Sequence, residues 1–308
     1  MNNYSKPIRS ILHATQLLEA DAIDGQVDNF FFAACGPASG PPREFAISIQ
    51  IPQTVMKCNQ QGIDVNGKAT DLFPAINLRL VGIDDDLVPL DRDLLRDPEG
   101  SSYWDVTLSP GKIWSEEADG PWSRAALPFQ FSNIFENDTH HGIATFLYSE
   151  TNISPIFFQI VAETKPFLIP DNLLAWGWLE GRVESLDPKG YRSELDVYQE
   201  EKRDWLPMKS LEIWRSDDTE AHMRDIEYGF GSDSSIVNGL VIDDVIYSTS
   251  CQTTMGDYPY PRSMKFGIWS ATKTAFCTIA CLRLAQIMGE DPRDYEIATL
   301  LPEAKSNE

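Results

Sequence analysis

The stretch Phe45-Ala46-Ile47-Ser48-Ile49-Gln50-Ile51 alternates between large apolar residues and small or polar ones. Alternation over this length is typical of a β-strand with one face on a hydrophobic core. Short apolar and β-branched runs recur in the first half of the chain, separated by Gly, Pro, Asn and Asp, at 30–34, 76–81, 103–108, 129–131, 143–147 and 156–161. Several short strands with turn residues between them predict a mostly β, sandwich-like domain over residues 1–166.

The composition is that of a globular protein with an acidic surface. The chain has 308 residues, of which 42% are apolar and 23% charged. Its 47 Asp and Glu against 25 Lys and Arg give a formal net charge of −22. Because such a surface repels phosphate backbones and anionic lipid, the composition argues against nucleic acid or a membrane as a partner.

Cysteine usage and the N-terminal residues predict the compartment. The five cysteines have neither the paired spacing of a disulfide framework nor that of a zinc site. Residues 1–20 lack the unbroken apolar run of a signal peptide. With Met1 as the native start, these features predict a cytoplasmic protein without a structural metal.

Beyond residue 166 the pattern changes twice. Residues 167–232 carry scattered tryptophans in charged, proline-containing sequence, which predicts an irregular connecting region. Residues 235–248 are predicted to form a β-hairpin with Asp243 and Asp244 at the turn. A helix over 270–288 then shows apolar residues on most of its faces, which predicts that it is buried. Residues 233–308 are therefore expected to begin a second domain.

The start of this helix carries the pattern Ser270-Ala271-Thr272-Lys273. Two residues three positions apart share one face of a helix, so the amine can reach the hydroxyl. The alternative interpretation is that Ser270 only caps the helix, in which case Glu or Gln would be favoured where Lys273 stands. The pattern is short, and Ser109-Pro110-Gly111-Lys112 matches it too, although Pro110 and Gly111 make that copy a turn.

The order of elements around Ser270 resembles the start of the serine β-lactamase and penicillin-binding-protein superfamily. The matching features are the hairpin, the loop that ends at 264–269, the Ser-x-x-Lys pattern, the helix over 274–288 and the segment 297–302. The resemblance implies an α+β domain in which Ser270 is the acylated nucleophile and Lys273 assists proton transfer. It implies hydrolysis of a small-molecule amide or ester without a cofactor or metal.

The chain departs from this superfamily after Lys273. Members carry a Tyr-x-Asn or Ser-x-Asn element and a Lys-Thr-Gly or His-x-Gly strand downstream, and residues 274–308 contain neither. The sequence is therefore expected to be the N-terminal portion of such an enzyme and to be inactive alone. A sheet without its closing strands has an unpaired edge, which predicts self-association.

A non-catalytic function is the alternative. In this interpretation the β-rich domain is a module that binds a ligand or a protein, and the terminal helix completes a core or an interface. Trp104, Trp114 and Trp122 are considered as parts of a carbohydrate-binding surface, with the filling of a sandwich core as the competing explanation.

Overall fold

The computed structural model describes residues 9–20, 22–59, 62–64, 67–133, 139–164, 173–216, 236–289, 291, 295, 296 and 299. The chain divides into two compact units, Met1–Lys265 and Phe266–Glu308. In these described ranges, no helix is both long and apolar enough to cross a membrane.

The first unit consists mainly of short strands, so the mostly β class is confirmed. Its strands are β1 (Ala38–Gly40), β2 (Phe45–Ile51), β3 (Thr54–Val55), β4 (Lys57–Cys58), β5 (Leu72–Phe73), β6 (Ile76–Ile83), β7 (Asp86–Pro89), β8 (Asp105–Leu108), β9 (Gly111–Glu116), β10 (Ser123–Ser132), β11 (Thr139–Tyr148), β12 (Ile156–Thr164), β13 (Ala175–Leu179), β14 (Arg182–Ser185), β15 (Met208–Ser210), β16 (Gly239–Ile242), β17 (Val245–Ser248), β18 (Gln252–Thr253) and β19 (Gly256–Asp257). Its α-helices are α1 (Ala14–Leu18), α2 (Arg192–Arg203) and α3 (Leu211–Ser216), and it has 3-10 turns at Asn29–Phe32, Glu117–Asp119, Pro188–Gly190 and Pro261–Ser263.

Twelve strands form one large antiparallel sheet. The order along its main path is β14-β2-β6-β7-β9-β10-β11-β12-β13-β4, with β1 also beside β9 and β8 also beside β10. The strands β8 and β9 share one edge of β10: β8 pairs with residues 129–132 and β9 with residues 124–126. The strands β10 to β13 follow one another as a meander.

The large sheet curves so that one of its faces encloses the core. Phe45 on β2 lies against Phe146 and Tyr148 on β11, with ring centroids 6.4 and 4.4 Å apart. Four strands separate β2 from β11 along the sheet, so these contacts require strong curvature. The predicted sandwich-like arrangement is thus realised by one sheet folded over its own core, not by two sheets facing each other.

One of the predicted strands is a different element. Residues 30–34 were expected to be extended, but Asn29–Phe32 forms a 3-10 turn. The cause is local: the side chain of Asp28 accepts a hydrogen bond from the backbone N–H of Phe30 at 2.8 Å and so caps the turn. An apolar run carries no signal that separates a strand from a capped turn.

Two buried arginines connect the N-terminal segment to the sheet. Arg9 pairs with Glu116 at 3.0 Å, and both side chains are at most 1% exposed. Arg124 pairs with Asp119, and both side chains are fully buried. Arg124 also donates to the backbone carbonyl of Leu12 at 2.9 Å. The segment before β1 is therefore held by the charged side chains of Glu116 on β9 and Arg124 on β10.

The segment predicted as an irregular connection contains regular elements. Within 167–232 the structure has β13 and β14, both in the large sheet, followed by α2, β15 and α3. Helix α2 is held to the sheet at Asp86, which accepts hydrogen bonds from Tyr198 at 3.0 Å and from Lys202 at 2.5 Å. Burial alone would raise the pKa of Asp86, but hydrogen bonds from Lys112, Lys202 and Tyr198 and the charge of Lys112 lower it.

The predicted hairpin is confirmed as β16 and β17. Asp243 and Asp244 have φ of 48° and 59°, the left-handed values that a two-residue hairpin turn with a type I′ backbone requires. On its other side β17 pairs in parallel with β15, with Met208 opposite Ile246. The hairpin lies in the first unit, Met1–Lys265.

The second unit contains a continuous helical stretch over residues 271–288, which ends in helix α4 (Ile279–Met288). Its side chains are exposed along almost the whole length, including Phe276 at 65% and Leu282 at 62%. The predicted burial of this helix is therefore wrong. A helix that is apolar on most faces needs cover on several sides, and among the described residues after 265 no strand is present to provide it.

Candidate functional site

The turn that precedes the terminal helix positions Ser270. Trp269 has a φ of 45°, and three consecutive turn hydrogen bonds follow, from the N–H groups of residues 271, 272 and 273 to the carbonyls of residues 268, 269 and 270, at 2.9 to 3.0 Å. The chain then continues as a π-helix over Lys273–Thr278 before α4 begins. π-Helical segments within helices are frequent at functional sites.

The structure brings the two predicted site residues together. The Nζ of Lys273 donates a hydrogen bond to the Oγ of Ser270 at 2.9 Å. This is the only hydrogen bond of the Ser270 hydroxyl to another described residue, so the helix-capping bond of the alternative interpretation is not formed. Both residues are exposed, which leaves the hydroxyl open to a substrate.

The second copy of the pattern has a different environment. Ser109 is 1% exposed, and its backbone N–H donates to the carbonyl of Pro128 at 3.0 Å. The Nζ of Lys112 is 2.8 Å from carboxylate oxygens of both Asp85 and Asp86. Because two carboxylates hold this amine and the hydroxyl is closed off, Ser109 and Lys112 are structural residues.

An alcohol with an adjacent amine is the minimum unit for nucleophilic acyl transfer. The amine can take the proton of the hydroxyl as its oxygen attacks a carbonyl carbon, and can later return it to the leaving group. Stabilisation of the resulting oxyanion also needs N–H donors. The N–H groups of Ala271, Thr272 and Lys273 all donate within the turn, so these three do not supply that stabilisation.

A second candidate site is a groove on the first unit, which the sequence patterns did not predict. It has a volume of about 710 Å³ and borders β3, β4 and β13 together with Ala20, Ile23 and Asp24. Trp176 and Trp178 of β13 line it, with Lys57, Asp24, Glu180 and Thr54 at its polar parts. The alternation of Trp with small residues in 175–178 is the signal that could have predicted it.

The tryptophans considered for carbohydrate binding lie mostly elsewhere. Trp104 is 1% exposed, and its indole N–H donates to the carbonyl of Thr70 at 2.8 Å. Trp114 is 8% exposed and donates to Glu116 at 2.9 Å. These two side chains fill the interior of the first unit and line no surface, whereas Trp122 is half-buried in a turn.

The described part of the chain contains no group of three or more His, Cys, Asp or Glu side chains that could hold a metal ion. Neighbouring His140 and His141 lie on β11 and are both 1% exposed. Burial disfavours the charged imidazolium and lowers the pKa of His141 to about 4.

No protein-family model, curated protein or solved structure matches the chain. A functional proposal therefore depends on the chemistry of the two sites, on Ser270 with Lys273 and on the groove beside Trp176 and Trp178.

Proposed function

We propose that Ser270 and Lys273 belong to a serine hydrolase site of the β-lactamase-like superfamily. The observation that carries this proposal is the 2.9 Å contact between Nζ of Lys273 and Oγ of Ser270 at the beginning of a helix. The hairpin of β16 and β17, which precedes the helix as it does in that superfamily, supports it. The substrate class is a small-molecule amide or ester.

The reaction has two steps. The Oγ of Ser270 forms a bond to the carbonyl carbon while its proton moves to the amine nitrogen of Lys273. The carbon–nitrogen or carbon–oxygen bond then breaks, and the leaving group takes that proton, which leaves an ester on Ser270. Water attacks this ester, gives one proton to the departing Ser270 oxygen, and releases a carboxylic acid. The chemistry needs no cofactor or metal.

This polypeptide is expected to react slowly in both steps. The Ser270 site is exposed, and residues 274–308 lack the later sequence motifs of the superfamily. Both steps form an oxyanion that needs preorganised donors, and removing one such donor in an enzyme costs about 100-fold or more. We therefore expect modification of Ser270 by a reactive probe, without appreciable turnover of an amide or ester.

Labelling with a fluorophosphonate tests this proposal. We expect a mass adduct on Ser270 that is absent in Ser270→Ala and forms about 100-fold more slowly in Lys273→Met, because the base is lost. The control variant Ser101→Ala changes an exposed serine of the first unit and should label like the parent. An unlabelled Ser270, or equal labelling in Lys273→Met, would contradict the proposed site.

Turnover is measured separately with a chromogenic ester and a chromogenic β-lactam. We expect rates close to the uncatalysed reaction for the 308-residue polypeptide. Appreciable turnover that is abolished in Ser270→Ala would show that the expected inactivity is wrong, while it would support the role of Ser270.

The second candidate function is a ligand-binding module in the first unit. The groove beside Trp176 and Trp178 favours it, because its volume of about 710 Å³ lies in the range of small-molecule sites, roughly 300–1,000 Å³. Binding there does not depend on Ser270, and one chain can have both functions.

The proposed setting is a reducing compartment such as the cytoplasm. All five cysteines have free thiols, which supports it. Burial raises the pKa of the Cys251 thiol to about 12, with a smaller contribution from the charge of Asp257. A thiolate is the reactive form of cysteine, so Cys251 is expected to be inert.

Self-association is proposed at the edge strand β16. Val241 on this strand is 64% exposed, and an exposed apolar edge is a template for pairing with another chain. The strand β14, at an edge of the large sheet, is protected from such pairing. Its Arg182 and Glu184 pair at 3.0 Å and make that edge charged.

We expect the molar mass of the parent to rise with concentration in light scattering, and Val241→Lys to reduce that rise, because a lysine on an edge strand opposes pairing. The matched control is Val183→Lys on β14, which should behave as the parent. A parent that stays monomeric at all concentrations, or an unchanged rise in Val241→Lys, would contradict the role of β16.

A further inference from the structure

The groove beside Trp176 and Trp178 has two aromatic side chains on one face of β13. Ala175 and Leu179 are buried in the core, so Trp176 and Trp178 point to the other face of the sheet. Residues two positions apart on a strand are about 6.6 Å apart, which places the two indoles side by side. The ring of Trp178 packs against Phe157 of β12 at a centroid distance of 5.1 Å, which holds it in place.

The charged residues of the groove disfavour anionic ligands. Lys57 and Asp24 form an ion pair at 3.8 Å in which both side chains are largely exposed, and Glu180 adds a second carboxylate. An anion would meet two carboxylates against a single ammonium. A neutral ligand avoids this repulsion and can use the ammonium as donor and the carboxylates as acceptors.

We propose that this groove binds a neutral carbohydrate. A pyranose ring has an apolar face of C–H groups, which can stack on an indole, and a rim of hydroxyls that both donate and accept hydrogen bonds. In this site the indoles of Trp176 and Trp178 hold the ring faces, and the groups that bind hydroxyls are Lys57, Asp24, Glu180 and Thr54. The aromatic pair and the polar side chains together favour a neutral sugar over an anionic or a purely apolar ligand.

The test is titration of the full chain with neutral tetrasaccharides of glucose, mannose, galactose and N-acetylglucosamine, followed by calorimetry and tryptophan fluorescence. We expect saturable binding of at least one of them. Affinity should fall about tenfold in Trp176→Ala and in Trp178→Ala, since loss of one aromatic stacking contact has about this effect. Trp176→Phe keeps a stacking ring and should recover part of the loss.

Two further variants keep the result decisive. Trp205→Ala removes a partly exposed tryptophan that is not among the groove residues, and it should bind like the parent. Thr54→Arg fills the groove without changing either tryptophan, so it should abolish binding even if a tryptophan variant does not fold. The proposal is wrong if none of the four saccharides binds, if a flat neutral aromatic compound binds in their place, or if binding survives in Thr54→Arg.

Discussion

Replacing Glu116 by alanine is expected to lower the free energy of unfolding of the first unit by about 3–5 kcal/mol. Glu116 accepts hydrogen bonds from the guanidinium of Arg9 at 3.0 and 3.2 Å, from the indole of Trp114 at 2.9 Å, and from the backbone of Cys35 at 2.9 Å. Its removal leaves the fully buried charge of Arg9 without a counterion. Urea unfolding followed by tryptophan fluorescence measures the loss.

The control for this prediction is Glu117→Ala, which changes the exposed neighbour and should alter the unfolding free energy by less than about 0.5 kcal/mol. Glu116→Gln keeps hydrogen-bonding atoms but loses the charge, so an intermediate loss is expected. A loss below about 1 kcal/mol in Glu116→Ala would show that the buried pair with Arg9 is not a main source of stability.

The pH dependence separates the charge of Glu116 from simple loss of packing. Burial by itself would raise the pKa of Glu116, but the hydrogen bonds and charge of Arg9, with the N–H groups of Cys35 and Gly36, lower it to about 2 from 4.5. A lowered pKa stabilises the fold above pH 4.5, and this contribution of about 3 kcal/mol disappears as the pH falls from 4.5 towards 2. The difference between parent and Glu116→Ala should therefore shrink over that interval.

The strands could be predicted because their signal is local. In β2 the alternation of residues 45–51 appears in the last three residues, where Ile49 and Ile51 are at most 3% exposed and Gln50 between them is exposed. The hairpin turn could be predicted at Asp243 and Asp244 for the same reason, since the turn conformation depends on two adjacent residues. Both features need only neighbouring positions.

The curvature of the large sheet could not be predicted, because it depends on contacts between distant residues. Phe45 and Tyr148 are about one hundred positions apart in the sequence, and so are Arg9 and Glu116. No periodicity in the sequence relates such pairs. Charged residues usually lie on the surface. A prediction from residue type would therefore place Arg9 there, although the structure buries it.

The burial of the terminal helix was wrongly predicted for the same reason, because burial also depends on distant residues. The sequence of residues 270–288 shows which faces are apolar, and it shows that Ser270 and Lys273 share a face, as their 2.9 Å contact illustrates. Burial requires other elements to cover the helix, and helical periodicity contains no information about them. The groove was not predicted for a related reason. Lys57 and Trp176 lie far apart in the sequence, but they are opposite each other on the paired strands β4 and β13.

Replacing Gly111 by alanine is expected to destabilise the first unit by about 3 kcal/mol, because the added methyl group has no space. A Cβ at this position would lie 1.9 Å from the carbonyl oxygen of Ala126 and 2.7 Å from the ring of Pro128. The first contact is with backbone in β10, which pairs with strands on both sides and cannot move aside as a flexible side chain could.

Gly111 lies within the second Ser-x-x-Lys pattern, Ser109-Pro110-Gly111-Lys112, and explains why this copy is not helical. Residues 109 and 110 connect β8 to β9, which begins at Gly111. At Gly111 the chain approaches β10 so closely that only glycine fits. The control is Gly190→Ala, where no atom lies within 4 Å of the added carbon and stability should change by less than about 0.5 kcal/mol. If thermal and urea unfolding of Gly111→Ala match the parent, the close approach to Ala126 is not a constraint on the fold.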